Sequence, residues 1–385
     1  MILVAGSVTP AAFADHIQAG SGIGAGLGGV NNPGSWYPGE NLKVGDYFKY
    51  KVCHAEYKDC TDFWFSMWVE KEVLGGPEDK LRFQILVEDG NKVLKGQMDV
   101  GTLAPEPMGG TYDNNISKYV SAYKNSGGSS LVDTTSVGIG RDPLALARIS
   151  RASKLNVIMG SSYYVTHSHP PDMNEKTQSQ ITNEIVRDIT IGVKDTNIRS
   201  GIIGEVGNFW PLTQNEIKVL RASGEAQKET GAPITIHSGL GDEAPLGILN
   251  HLIAGGAKPT NCILGHLDTA IQSEPHFIEL AKTGCYLEFD IFGWENTGMF
   301  IDDAINMPND IGRLDRILFL IQNGFEDQIV ISQDVCRKWH LSRNGGQGYD
   351  HILNNIVPRM KNLGITETQI TKILVKNPAK ALVFE

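Results

Sequence analysis

Length, composition and charge restrict this chain to the ordinary globular proteins. It has 385 residues, of which 41% are hydrophobic and 20% are charged, and these fractions are typical of proteins with a packed core. Its formal net charge of -10 at pH 7 argues against a nucleic-acid partner or an anionic membrane surface, because both favour clustered Lys and Arg. No apolar run approaches the roughly 20 residues that span a bilayer, whereas the length suffices for a barrel of about 250 residues and a second domain.

Residues 1–34 combine an apolar start with a Gly-rich linker. The stretch Met1 to Ala14 ends in Ala-Phe-Ala before Asp15, which is similar to a signal-peptidase site, but no Lys or Arg precedes the apolar run. It could be the remnant of an export signal or a loose apolar tail. The segment that follows, Ala19 to Gly34, is too rich in glycine to bury a core. The compartment therefore stays open, with the cytoplasm slightly favoured for the later part of the chain and export compatible with residues 1–15.

Residues 35–110 have the pattern of a small antiparallel β domain. Apolar and polar residues alternate there, and Asp89-Gly90 lies between two apolar runs, which is typical of a hairpin turn. Cys53 and Cys60 bracket a short polar loop and could form a disulfide in an exported protein. A zinc site that combines them with His54 is the other reading, but the sequence shows no fourth ligand.

Residues 127–385 alternate short apolar runs with amphipathic stretches long enough for helices. The runs lack polar alternation, as is typical of buried parallel strands. The predicted strands are seven in number and lie at 130–133, 156–159, 201–205, 233–237, 262–266, 284–292 and 328–334. Thr213 with Glu216, and Thr366 with Gln369, have the spacing of helix capping boxes. This βαβα order predicts an α/β fold of the TIM-type (β/α)8 barrel class.

Four of the predicted strands end in a residue that can bind a metal ion, namely Glu205, His237, His266 and Asp334. The carboxyl ends of all strands converge on one face of a β/α barrel, so ligands from successive strands can meet there. A single strand-end His or Asp is more often a hydrogen-bonded or helix-capping residue. Repetition at the same end of four strands instead favours a zinc-type site of carboxylates and imidazoles.

The residues around these strand ends resemble the phosphotriesterase family of the amidohydrolase superfamily, and most closely its phosphotriesterase-related branch. The resemblance covers about residues 127–385. The motifs that carry it are Gly-Glu205-Val-Gly, Ile-His237-Ser-Gly, Gly-His266-Leu-Asp268, Glu288-Phe-Asp290, Ser-Gln-Asp334-Val and Gly345-Gly-Gln-Gly-Tyr349-Asp-His351-Ile.

This resemblance implies a hydrolase with two divalent metal ions, usually zinc, at the mouth of the barrel, acting on a small-molecule substrate. By the match, Glu205 would bridge the ions in place of the carboxylated lysine of other branches, and His237 and His266 would bind the second ion. Asp334 would bind the first ion and act as the catalytic residue that collects a proton from the shared hydroxide. The chemistry is consistent with this, because paired cations acidify a shared water and a neighbouring carboxylate can move its proton.

The chain departs from the family at its first barrel strand. Family members end that strand in a His-x-His pair that binds the first metal, and no such pair precedes Gly128. We therefore expect a barrel that lacks its first strand and could retain only one ion. The pair His167-Ser-His169 could substitute as metal ligands, but it follows a later strand, and an ordinary polar loop over the barrel mouth is the competing interpretation.

Two functions follow from these features. The first is a zinc-dependent hydrolase of an ester, lactone, amide or phosphotriester. The second is a catalytically impaired fusion protein that acts as a binding or structural module. In that case the open edges of an incomplete barrel would be covered by the β domain or by another subunit of a homo-oligomer.

Overall fold

The computed structural model describes residues 2–4, 47–53, 60–73, 80–89, 92–101, 120–295, 307–336, 340–342 and 345–384. The chain divides into two compact units, one formed by Met1–Thr9 together with Ile116–Glu385 and the other by Pro10–Asn115. The boundaries predicted from the sequence, at residues 34, 110 and 127, stay predictions.

The described strands are numbered in chain order: β1 (Ile2–Val4), β2 (Tyr47–Cys53), β3 (Cys60–Val73), β4 (Lys80–Asp89), β5 (Lys92–Gly101), β6 (Ser130–Asp133), β7 (Asn156–Met159), β8 (Ile203–Gly207), β9 (Ile234–His237), β10 (Cys262–Gly265), β11 (Tyr286–Phe289) and β12 (Ile329–Ile331). The α-helices are α1 (Pro143–Ser153), α2 (Gln178–Thr190), α3 (Gln214–Thr230), α4 (Ala244–Ala254), α5 (Leu267–Ala270), α6 (Glu274–Ala281), α7 (Asp310–Gln322), α8 (Val357–Asn362), α9 (Glu367–Thr371) and α10 (Asn377–Leu382).

The larger unit is an α/β structure whose strands are all parallel to their neighbours. One sheet has the order β1-β6-β7, and the second runs β12-β11-β10-β9-β8. An isolated bridge between Ser161 and Gly204 joins the segments after β7 and within β8. The strands therefore follow one another in sequence order, and the seven strands predicted from Ser130 onward are present.

The expectation that the first strand is absent differs from the structure. Ile2–Val4 forms β1 and pairs in parallel with β6, with Ile2 opposite Leu131 and Val4 opposite Asp133. A strand of three apolar residues gives no periodic signal, and the whole of the second unit separates it in sequence from its partner. This is why the sequence pattern did not reveal it.

The smaller unit contains a four-stranded antiparallel sheet of order β2-β3-β4-β5. It lies within the segment where the sequence pattern indicated antiparallel structure. Cys53 and Cys60 are directly opposite each other in the register of β2 and β3.

The two faces of the parallel strands differ in what they pack against. Alternate residues of β10 show this, because Cys262 and Leu264 belong to the large helix-facing core whereas Ile263 belongs to a smaller cluster on the opposite face. That smaller cluster consists of Val132, Ile158, Ile202, Ile263, Tyr286 and Val330, with Ala381 and Leu382 from α10. Since side chains alternate along a strand, residues two positions further along share this face. They include Thr134, Gly204, Gly265, Glu288 and Ser332. The face thus changes from apolar to polar toward the carboxyl ends of the strands.

Two helices begin where the sequence indicated a capping box. Thr213 accepts a hydrogen bond from the backbone N–H of Glu216 and completes a capping box before α3, and Thr366 does the same with Gln369 before α9. In the described part of the chain, no helix combines the length and the apolar character needed to cross a membrane.

Candidate metal centre

Glu205, His237 and His266 meet at the carboxyl ends of three adjacent parallel strands. Glu205 lies in β8, His237 is the last residue of β9 and His266 follows β10 directly. His237 Nδ1 lies 3.6 Å from Glu205 Oε1, and His266 Nε2 lies 3.1 Å from the same oxygen. One ligand atom from each residue falls within 4.8 Å of the others. Among the residues that the structure describes, this is the one group of three or more potential metal ligands.

The electrostatics of the group are those of a buried carboxylate between two imidazoles. Burial raises the pKa of Glu205, but its hydrogen bonds with His237 and His266 outweigh that effect and hold the pKa below its ordinary value. Burial lowers the pKa of His266, but Asp290 and Glu205 hold it well above the ordinary value. A cation that binds here must therefore displace a proton, because only a neutral imidazole nitrogen is a metal ligand.

Asp290 fixes the orientation of His266. Its Oδ1 lies 2.7 Å from His266 Nδ1, and its Oδ2 accepts a hydrogen bond of 2.8 Å from the backbone N–H of His266. A carboxylate can only accept from this ring nitrogen, so Nδ1 carries the proton and Nε2 is directed toward Glu205. Metal-binding histidines are commonly held in this way by a carboxylate on the second nitrogen.

Tyr164 contacts the other imidazole. Its hydroxyl lies 3.1 Å from His237 Nδ1, and the two rings meet edge to face at 4.9 Å. Asn208 donates a hydrogen bond to the backbone carbonyl of His237 at 3.3 Å. These contacts hold His237 against Glu205.

Asp334 lies after β12 with a left-handed backbone, at φ 40°, and is buried. It is outside the three-residue group but within electrostatic reach of it. Burial, the largest cause, acts together with Glu205 and Asp290 and against His266, and the net effect raises the pKa of Asp334 to about 7. The thiol of Cys336 donates to Asp334 Oδ2 at 3.5 Å. A carboxylate with this pKa can exchange a proton near neutral pH.

His167 and His169 do not join the group in the described part of the chain. The ring of His167 packs edge to face on Phe209 at 5.2 Å. His169 Nε2 donates to the backbone carbonyl of Tyr164 at 2.8 Å, and burial lowers its pKa. Both residues lie in or next to a short 3-10 turn, Thr166–Ser168. Their side chains therefore do not share a face, as residues two positions apart would in an extended segment.

The donor set fits a divalent cation of the zinc type. One carboxylate oxygen and two imidazole nitrogens converge, and Asp290 supports one imidazole from behind. Zinc prefers this mixture of nitrogen and oxygen ligands.

A cavity of about 150 Å³ lies near the carboxyl ends of β11 and β12. Gln333 and Val335, the sequence neighbours of Asp334, line it together with Trp294 and His340. This volume is below the 300–1,000 Å³ typical of pockets for drug-sized ligands. A small substrate group fits such a space.

Two residues of the site had no assigned role from the sequence. Asp290 directly follows β11, much as the candidate ligands lie at the ends of their predicted strands, so its position was a usable signal. Tyr164 lies in a loop, and nothing in the sequence near it indicates a contact with His237, which is 73 residues away.

Comparisons with known proteins show similarity to one family. Residues 111–382 match the model of the phosphotriesterase family. The chain is 41% identical over 284 residues to a phosphotriesterase-related protein of Nematostella vectensis, covering 74% of this chain and 80% of that protein. It is 44% identical over 260 residues to an N-acetyltaurine hydrolase of Dictyostelium discoideum, covering 68% and 70% of the two chains. For the N-acetyltaurine hydrolase of Homo sapiens the identity is 39% over 263 residues, covering 68% and 75%.

Solved structures show the same fold. A resiniferatoxin-binding protein from Rhodobacter sphaeroides superposes with a TM-score of 0.66 at 32% identity, covering 70% of this chain and 75% of that one. A phosphotriesterase-like lactonase mutant from Deinococcus radiodurans superposes with a TM-score of 0.64 at 25% identity, covering 71% and 88%. The fold neighbours are TIM-type barrels. On the family match and the identity of these relatives, the chain belongs to the phosphotriesterase family, among whose members are hydrolases.

Proposed function

We propose that this chain is a metal-dependent hydrolase that cleaves the amide bond of a small N-acyl compound of the N-acetyltaurine type. The observation that carries the proposal is the convergence of Glu205, His237 and His266 at the ends of adjacent strands. The choice of an amide over an ester, lactone or phosphotriester is supported by relatives of 38–44% identity that are N-acetyltaurine hydrolases.

Each residue has a task in this reaction. Glu205, His237 and His266 would hold the cation, which when bound polarises the substrate carbonyl and acidifies a water molecule. Asp290 keeps His266 in the tautomer that leaves Nε2 free for binding. Asp334, with its pKa near 7, accepts a proton from the attacking water and returns it to the nitrogen of the leaving amine as the C–N bond breaks.

We propose that the centre holds one zinc ion rather than the two implied by the family resemblance. The sequence directly after β1 is Ala5-Gly6-Ser7, in the place where the family has His-x-His, and Ala and Gly have no ligand atoms. The three-residue group is sufficient for one ion with an open position. Elemental analysis of the dialysed protein tests this number: about one zinc per chain agrees, and about two would mean that ligands such as Asp334, His167 or His169 complete a second site.

The activity test is the release of taurine from N-acetyltaurine by the zinc-loaded protein, compared with the opening of a simple lactone and the cleavage of a phosphotriester. H266A should lose both zinc and turnover. D334N should keep zinc in the three-residue group and lose about 10²–10⁴-fold in turnover, the range for general acid–base catalysis. H276A is the matched control, because His276 is a histidine outside the group that contacts Ser273 and Asp242. No turnover of any of the three substrates by the loaded protein would refute the proposal.

The alternative is a binding module without turnover. Two observations favour it: the sequence after β1 lacks the His-x-His pair, and the similar protein from Rhodobacter sphaeroides is a resiniferatoxin-binding protein. A chain that binds zinc stoichiometrically but leaves all three substrates intact would support this alternative. A homo-oligomer is compatible with either function, and sedimentation would establish it.

A further inference from the structure

The guanidinium of Arg313, in α7, is fully buried. Its three nitrogens donate to three different acceptors. Nε donates to Asp268 Oδ2 at 3.1 Å, Nη1 to Asp310 Oδ1 at 2.8 Å, and Nη2 to the backbone carbonyl of Trp294 at 2.9 Å. A buried charge of this kind is stable only when it is paired and hydrogen-bonded, and here two carboxylates and a carbonyl meet that need.

Asp268 links Arg313 to the metal-binding strands. It lies two residues after His266, and its Oδ2 also accepts a hydrogen bond of 3.1 Å from the backbone N–H of Ile291. In the opposite direction, Asp290 accepts from both the ring and the backbone of His266. The segments that follow β10 and β11 are therefore cross-linked twice, once through each carboxylate.

Asp310 links Arg313 to the rest of the segment after β11. Its Oδ1 accepts a hydrogen bond of 2.8 Å from the backbone N–H of Gly293, and its Oδ2 lies 2.7 Å from His351 Nε2. The segment 291–294 is thus held at the N–H of Ile291, the N–H of Gly293 and the carbonyl of Trp294. Arg313 donates directly to the carbonyl, and it is linked to the two N–H groups through the carboxylates of Asp268 and Asp310.

The backbone of His266 needs such support. Its φ is 55°, in the left-handed region that a residue with a side chain occupies only at an energetic cost. Strained residues of this kind persist when the surrounding contacts determine their conformation. Asp290, held by the segment that Arg313 fixes, makes two of those contacts.

We propose that Arg313 is a positioning residue for the metal centre. It fixes the segment from Asp290 to Trp294, and Asp290 in turn keeps the Nε2 of His266 directed toward Glu205. The expected effect on metal binding rests on the proposed function, but the hydrogen-bond network itself does not depend on a metal.

The geometry predicts that lysine cannot replace this residue. Three acceptors lie around one planar guanidinium. A lysine ammonium carries all its N–H groups on a single nitrogen, so it cannot donate to the three acceptors in the same geometry. R313K keeps the positive charge but loses the planar arrangement of donors. R313M keeps most of the side-chain volume but loses both the charge and the donors. D310N is a third variant that weakens the network from the other side, should R313M fail to fold.

The matched control is R141M. Arg141 is an arginine whose side chain is 8% exposed, and it donates to Asp188 at 2.7 Å and to the carbonyl of Gly160 at 3.2 Å. It makes no hydrogen bond to His266, Asp268 or the segment after β11 among those that the structure describes. A loss of stability without a change at the metal centre is therefore expected of R141M.

Two measurements on the full chain test the inference. The first is amide hydrogen exchange of the zinc-free protein at Ile291 and Gly293, which should be at least about tenfold faster in R313K and R313M than in the wild type, while exchange in β9 and β10 stays slow. The second is zinc affinity, measured by competition with a chromophoric chelator. The affinity should fall about 10–100-fold, the range typical when a residue that orients a metal ligand is lost. R141M should leave both quantities unchanged.

The outcomes separate this inference from the proposed function. Unchanged exchange at Ile291 and Gly293 in folded R313K, or unchanged zinc affinity, would overturn the positioning role. Equal effects of R141M and R313M on zinc affinity would also overturn it, because they would indicate a general loss of stability. If the wild type binds no zinc, the proposed function fails, and the exchange experiment alone then decides whether Arg313 holds the segment.

Discussion

Gly265 should be intolerant of even a methyl group, and G265A is the most direct test of how closely the metal centre is packed. A Cβ at this position would lie 2.7 Å from Asp290 Oδ2 and 2.8 Å from the backbone carbonyl of Ile236. Both distances are about 0.6–0.7 Å shorter than an ordinary contact of 3.4 Å. The carbonyl belongs to β9, whose pairing with β10 is fixed by its register. Asp290 must therefore move, and its hydrogen bonds to His266 are the contacts at risk.

The magnitude follows from the two effects together. Inserting one carbon into a well-packed core costs about 1–3 kcal/mol, which for a domain of this size lowers the melting temperature by about 2–4 °C per kcal/mol. Weakening the Asp290 contact to His266 should reduce zinc affinity about 10–100-fold. Thermal unfolding without zinc and chelator competition measure the two effects separately. G312A, in the first turn of α7, is the control, since its closest contact would be 3.2 Å and alanine favours the helix. Wild-type values of both quantities in G265A would refute the packing argument.

Three further predictions concern stability. Burial, followed by Asp290 and Glu205, raises the pKa of Glu288 well above its ordinary 4.5. The contribution of Glu288 to folding stability is therefore complete below pH 4.5, its pKa in the unfolded chain, and declines as pH rises. E288Q should gain stability relative to the wild type between about pH 5 and pH 8 in urea melts without zinc. Burial raises the pKa of Asp310, but His351, the N–H of Gly293 and Arg313 together lower it to about 2. The contribution of Asp310 to folding stability is therefore present above about pH 3.8 and is lost as the pH falls toward 2. D310N should reduce this acid-side loss in the dependence of stability on pH. Zinc at 100 times its dissociation constant should stabilise the wild type by about 2.7 kcal/mol, and EDTA should remove that gain.

The positions of the candidate ligands could be predicted because parallel strands give a strong sequence signal. Each buried strand is a short apolar run, and its carboxyl end is marked by the first polar residue. Glu205, His237 and His266 occupy such ends, and the structure brings them within 4.8 Å of one another. The helix caps were predictable for a similar reason, since Thr213 and Glu216 interact over three residues. Local pattern and sheet geometry together determine these features.

The first strand could not be predicted from the same rules. Three residues, Ile2–Val4, are too few for a periodic pattern, and their partner Ser130–Asp133 is distant in sequence. Within the family resemblance, the first strand is recognised by a His-x-His pair at its end, and the absence of that pair made β1 harder to recognise. The pair and the strand are separable features, because pairing in a sheet requires only backbone groups, whereas metal binding requires particular side chains.

The buried polar network around Arg313 shows a second limit. Its hydrogen bonds join residues that are 45 positions apart for Asp268 and 41 apart for the His351 contact to Asp310, so no local pattern marks them. Composition offered no signal either, because an arginine in an amphipathic helix is ordinarily exposed. The candidate metal ligands come from single strand ends, whereas the residues that support them come from helix α7 and from the segments between strands. On the proposed positioning role, we expect a substitution far from the candidate ligands in sequence to change metal affinity, and the comparison of R313M with R141M distinguishes such an effect from a general loss of stability.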